Sequence, residues 1–156
     1  MASYRTILVG TDGSATSFKA VERAAALAAD AGATLVIVSA YQEMTERERK
    51  RAAGDLGESA YKVLGSNPAE DILVEATGIA NKAGATKVQT KALPGDPVDM
   101  LAKAVKDNKA DLCVVGNRGL NSLAGRLLGS VPANISHRAA SDVLIVHTTG
   151  RRPRNG

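Results

Sequence analysis

Cysteine, tryptophan and phenylalanine are scarce in this 156-residue chain, which has one Cys, no Trp, one Phe and three Tyr. The lone thiol, Cys113, cannot close an intramolecular disulfide, and one Cys with two His falls short of a Cys/His zinc set. Aromatics at 3% are too few for the stacking platforms of single-strand nucleic-acid binders. Long hydrophobic runs are also missing. None approaches the ~18 uninterrupted apolar residues that a membrane span requires. Met1 to Arg5 leads straight into a strand-like segment without the charged, apolar and cleavage regions of a secretory signal. A cytoplasmic protein is expected, with no membrane partner. The formal charge of +4 suggests an anionic polymer, but Arg151 to Gly156 carries three arginines and no acid. Without that tail the chain has 17 basic and 16 acidic residues, which argues against nucleic acid and for a solvated, disordered end over 149–156.

What is present is an ordinary globular composition, 44% hydrophobic and 23% charged, in a length that suits one core. A single domain over 1–148 is expected. Short apolar runs without alternation occur at Thr6–Val9, Leu35–Val38, Leu112–Val115 and Val143–Val146, the pattern of strands covered on both faces. Val88–Leu93 is a more polar strand. Between the runs lie helical patterns. Ser14 or Thr16 can cap the first, in which Phe18, Val21, Ala25 and Ala28 recur at helical spacing, and Gly32 stands where a residue of positive φ ends a helix. The second follows Pro68 and stops near Gly84. The third opens on Asp96 as N-cap with Pro97 at the first position, and the fourth spans Ser130 to Ala140. Residues 42–67, dense in mixed charge and interrupted by Gly54, Gly57 and Gly65, read as a mobile insertion with some helix. Strands alternating with helices imply a doubly wound α/β domain with a parallel sheet and right-handed crossovers.

Two segments bear chemistry. After the fourth strand comes Gly116-Asn117-Arg118-Gly119, then nine residues, then Gly129-Ser130. Glycines let backbone N–H groups approach an anion, Ser130 stands where the last helix begins and its free N–H groups favour phosphate, and Arg118 and Arg126 can add charge. Equally, the glycines can serve turns and Ser130 a cap. The other segment is Gly10-Thr11-Asp12-Gly13-Ser14 at the carboxyl end of the first strand. In open α/β sheets ligands lie beyond such ends, where the winding reverses. Asp12 there can hold a ribose hydroxyl or a Mg2+ ion, or simply form an Asx-turn.

Taken together, these residues resemble the universal stress protein family over nearly the whole chain. Ile7 to Ser14, with Ser17, Ala20 and Gly32-Ala33-x-Leu35, looks like that family's first βαβ unit. Gly95-x-Pro97 and Ala110 to Gly116 resemble its third helix and fourth strand. Gly116-x2-Gly119-x9-Gly129-Ser130-Val131 matches the members that bind adenine nucleotides. The resemblance implies an open, doubly wound, five-stranded parallel sheet of order 3-2-1-4-5 with helices on both faces. It further implies ATP, AMP or cyclic AMP as ligand. Phosphates would be held at Gly116, Gly119, Gly129, Ser130 and Val131, Asp12 would face the nucleotide, and Ala40 would offer backbone groups to adenine. Gly10, Thr11 and Asn117, with Arg118 and Arg126, complete the expected set. A homodimer through Val143–Val146 is also implied.

Other phosphate-binding readings fail on particular residues. A synthetase-type pyrophosphate loop requires Ser-Gly-Gly-x-Asp-Ser where Thr11-Asp12-Gly13-Ser14 stands, and Gly125 to Ser130 lacks the lysine of a Walker loop. A phospho-receiver requires Asp after strand three and Lys after strand five, near which stand Leu93 and His147. No catalytic residue is assigned: His137 and His147 have no evident acid-base partner, and Cys113 sits in an apolar strand. The expected function is an adenine-nucleotide-binding regulator in the stress response. The alternatives are a partner-binding protein with a vestigial pocket, and a slow ATP hydrolase or autophosphorylating protein.

Overall fold

The computed structural model describes residues 3–42, 47, 51, 68–117 and 130–148. The expected insertion therefore lies outside the described residues except for Gln42, Arg47 and Arg51, as do the tail and Arg118, Gly119, Arg126 and Gly129.

Five strands, β1 (Thr6–Gly10), β2 (Thr34–Tyr41), β3 (Val88–Pro94), β4 (Leu112–Gly116) and β5 (Asp142–Val146), form one parallel sheet of order β3-β2-β1-β4-β5. Among the described residues, the helices of defined bounds between them are α1 (Ala15–Ala31), α2 (Pro68–Lys82), α3 (Pro97–Asp107) and α4 (Ser130–Arg138). This is the doubly wound sheet expected from the alternation of elements and from the family resemblance. α4 ends at Arg138, two residues short of the expected Ala140, and β3 runs one residue further, to Pro94.

The period of two along each strand sorts side chains into two cores. Ile7, Val9, Leu35, Ile37, Leu112 and Val114 face α1 and α2, whereas Leu8, Val36, Val38, Cys113 and Val115 face α3 and α4. Burial on both faces is why these runs lack apolar-polar alternation. α1 presents Ala20, Ala24, Ala25 and Ala28 to the sheet, small side chains that permit close approach. It begins at Ser14, whose hydroxyl accepts the N–H of Ser17. It ends at Gly32, whose φ of 65° is left-handed and whose N–H bonds back to Ala28 and Ala29. Asp96 caps α3 by accepting the N–H of Asp99, with Pro97 at the first turn.

The sheet edges differ. β3 carries exposed Gln89, Thr90 and Lys91 and ends in Pro94, features that discourage further pairing. At the opposite edge Val143, Leu144 and Ile145 of β5 are half-buried, packed on one face against Ile135's core and on the other against that of Ile7.

The end of the sheet opposite the strand carboxyl ends is closed by carboxylates. Asp111 accepts the N–H groups of Arg5 and Thr6 at 2.9 Å each, and Asp142 accepts the Tyr4 hydroxyl at 2.9 Å. Among the described residues no helix is long and apolar enough to cross a membrane.

Candidate functional site at the switch point

β1 and β4 are neighbours only as far as Val9 and Val114. Beyond that pair, β1 stays with β2, Gly10 pairing Val38 and the Thr11 N–H donating to the Val38 carbonyl at 2.9 Å. β4 stays with β5 instead, Gly116 pairing Val146 and the Asn117 N–H donating to the Val146 carbonyl at 2.9 Å. The two middle strands thus part at their carboxyl ends and leave a crevice, in the place where winding reverses.

Gly10, Thr11 and Asp12 line one wall of this cleft and Val115 and Gly116 the other. Val38 and Ala40 contribute from β2, Pro97 and Leu101 from the first turns of α3, and Val131 and Pro132 from the start of α4. The space is about 540 Å³ counted out to open solvent. Its surface is largely aliphatic, with polar groups supplied by Thr11, Asp12 and Ser17, the composition of a site that takes a flat apolar group and orients it by a few polar contacts.

Of the residues singled out in the sequence, Gly10, Thr11, Asp12, Ala40, Gly116 and Val131 come together around the cleft. Ser130 opens α4 beside them, and Asn117 follows Gly116. Ser17, Val38, Pro97, Leu101, Val115 and Pro132 were not among the expected site residues. Pro97 and Leu101 carried a usable signal, since they lie one turn apart on a helix that starts directly after a strand's carboxyl end.

The polar side chains are already bonded to the protein. Thr11, 7% exposed, accepts the Gly13 N–H at 3.2 Å and lies 2.7 Å from the Ser17 hydroxyl, which donates to the Ser14 carbonyl at 2.9 Å. This chain of bonds ties the end of β1 to the first turn of α1. Asp12 uses Oδ1 to accept the Ser14 N–H at 2.9 Å, forming the Asx-turn that was one of its two readings. For Mg2+ a hard octahedral shell is needed, and among the described residues no group of three His, Cys, Asp or Glu side chains converges. Asp12 would supply one carboxylate to such an ion, with water or a bound phosphate completing the shell.

The glycines at the cleft have protein neighbours as well as room for a ligand. A Cβ on Gly10 would stand 2.9 Å from Leu101 Cδ2, and one on Gly116 would stand 3.3 Å from Thr148 Cγ2. Side chains of the protein, the tip of Leu101 and the methyl of Thr148, therefore border both positions independently of any anion. Cys113, one residue into β4, faces the α3–α4 core, and burial pushes its thiol up to about 12. It is an inert core side chain.

A profile of the universal stress protein family matches residues 3–147. The chain belongs to that family. A universal stress protein of Mycobacterium tuberculosis strain H37Rv is 52% identical over 149 residues, covering 96% of this chain and all of that one. A crystal structure of a universal stress protein in complex with cAMP is 43% identical, with a TM-score of 0.73, and covers 95% of this chain and 100% of the other. The universal stress protein of Archaeoglobus fulgidus in complex with dAMP is 20% identical, with a TM-score of 0.65 over 92% of this chain and 98% of its own, a likeness of fold.

Proposed function

We propose that this universal stress protein binds an adenine nucleotide in the β1–β4 cleft and works in the cytoplasm as a nucleotide-responsive regulator. The observation that carries the reading is the cleft itself, open at the switch point and lined by Gly10, Asp12, Ala40, Gly116 and Val131, in a chain 43% identical to a family member crystallised with cAMP. The aliphatic walls of Val38, Leu101 and Val115 suit a purine face, and Ala40 can offer backbone groups to its edge. Phosphates would lie toward Gly116 and the N-terminus of α4, and on the sequence motif Gly119, Gly129 and Ser130 would supply N–H groups to them and Arg118 and Arg126 charge. When Mg2+ accompanies a triphosphate, Asp12 would be its carboxylate ligand, the metal serving to neutralise phosphate charge. The dimer would form by pairing of β5 edges across Val143–Val146, since among the described residues β5 is the last strand of the sheet and no strand pairs with its outer edge.

Mass spectrometry of the denatured, purified protein should reveal retained adenine nucleotide. Calorimetric titration of nucleotide-free protein with ATP, AMP and cyclic AMP, with and without Mg2+, identifies which is preferred. Gly119→Ala should weaken the preferred ligand by at least about tenfold, ~1.4 kcal/mol, with little change in circular dichroism. Failure of all three nucleotides to bind would leave the partner-binding alternative.

A further inference from the structure

The amide side chain of Asn117 occupies an unusual position, immediately after the cleft-lining Gly116 yet turned to the segment that follows β5. Its Oδ1 accepts two hydrogen bonds, from the backbone N–H and from the hydroxyl of Thr148, each at 2.9 Å. A carbonyl oxygen has two lone pairs, so this atom is fully engaged by protein donors. Thr148 is 3% exposed, and its carbonyl accepts Lys19 Nζ from α1 at 3.3 Å. Its Cγ2 methyl occupies the space beside the Gly116 Cα, close enough to stand 3.3 Å from a Cβ there. Gly116 is thus held from two sides, by the methyl behind it and by the Asn117 clamp ahead of it. These contacts join β4, the end of β5 and α1 at one wall of the cleft.

We propose that Asn117 is a positioning residue for the nucleotide site, acting through Gly116 by its bidentate hold on Thr148, and that its amide oxygen is not a ligand contact. Thr148 is thereby a second positioning residue, although it lies outside the cleft lining. The inference rests on the nucleotide-binding reading above, and it specifies how Asn117, one of the expected site residues, would serve the nucleotide.

The test is a double-substitution cycle read by the dissociation constant for cyclic AMP, with the melting temperature recorded in parallel. Asn117→Ala should weaken binding about tenfold and Thr148→Val about threefold, while the double variant binds no worse than Asn117→Ala alone, because both remove one device. Thr148→Ser keeps the hydroxyl donor to Asn117 while losing the methyl beside Gly116, and should bind more tightly than Thr148→Val. Binding that is lost in Asn117→Ala but unchanged in Thr148→Val would overturn the proposal in favour of direct contact. Unchanged binding in both, with a lowered melting temperature, would reduce the clamp to a stability element and overturn it equally. If the parent protein bound neither cyclic AMP nor ATP nor AMP, the nucleotide reading would fall, and the positioning role with it.

Discussion

Gly13 and Gly32 both adopt positive φ, +84° and +65°, but their surroundings differ in a way that predicts unequal costs of the same substitution. A Cβ at Gly32 would meet nothing within 4 Å, whereas one at Gly13 would stand 2.8 Å from Ile72 Cγ1 and 2.9 Å from its Cδ1. Alanine at either position incurs the left-handed penalty of ~1–2 kcal/mol. The loss of unfolded-chain freedom offsets ~0.4–1 kcal/mol in both. Only Gly13→Ala adds overpacking, ~1–3 kcal/mol, because Cγ1 is bonded directly to the β-carbon and a β-branched side chain in a helix is held to one strongly preferred χ1 rotamer, so relief requires an unfavourable rotamer or a backbone shift. The difference between the variants should therefore be ~1–3 kcal/mol, or ~0.5–1.5 M in urea midpoint for a slope near ~2 kcal/mol/M. Circular dichroism through a urea titration measures it. Ile72→Ala in the Gly13→Ala background should recover at least ~1 kcal/mol relative to additivity, since it removes the clashing atoms. Equal midpoints for the two glycine variants would refute the reasoning, showing that the turn after Asp12 is not seated against α2 as described.

Cys113, with its thiol pushed up to about 12 by burial, should resist an aromatic disulfide reagent at about pH 8 in the native protein and titrate as one thiol per chain in urea. Rapid labelling without denaturant would contradict its burial. The N–H groups of Thr6 and Arg5 hold the Asp111 carboxyl below the usual carboxylate range. A depressed folded value means that the stabilisation is complete above the unfolded value of ~3.9 and disappears as pH falls through the folded one. The urea midpoint of the parent should accordingly exceed that of Asp111→Asn by more at about pH 7 than at about pH 2.5, and a gap independent of pH would oppose the assignment.

Local signals in the sequence were read correctly where one element contained both partners of an interaction. Gly32 at the end of α1 and Asp96-Pro97 at the start of α3 are such cases, since cap and capped N–H lie within a turn of each other. The uninterrupted apolar runs of β1, β2 and β4 announced a sheet covered on both sides, and the family resemblance supplied its order. The structure then brought Gly10 and Gly116 to one crevice although 106 positions separate them, an arrangement that depends on where β1 and β4 part company.

Contacts between distant segments left less trace. Asn117 was read with the phosphate loop, but its oxygen binds Thr148, 31 positions away, and nothing in either residue's neighbourhood announces that pairing. Leu101 belongs to the buried face of α3, yet it also lines the cleft and packs beside Gly10. Apolar periodicity locates the buried face of a helix without distinguishing the part that packs on the sheet from the part that borders a cavity.

The most direct test of the account is an amide chemical-shift titration of nitrogen-15-labelled, nucleotide-free protein with cyclic AMP, ATP and AMP. The account predicts saturable shifts at Gly10, Thr11, Ala40, Gly116 and Val131 for at least one of them, while Gly84 and Asp111 at the other end of the sheet stay in place. Absence of saturable shifts with all three nucleotides, or shifts confined to residues away from the β1–β4 cleft, would contradict it.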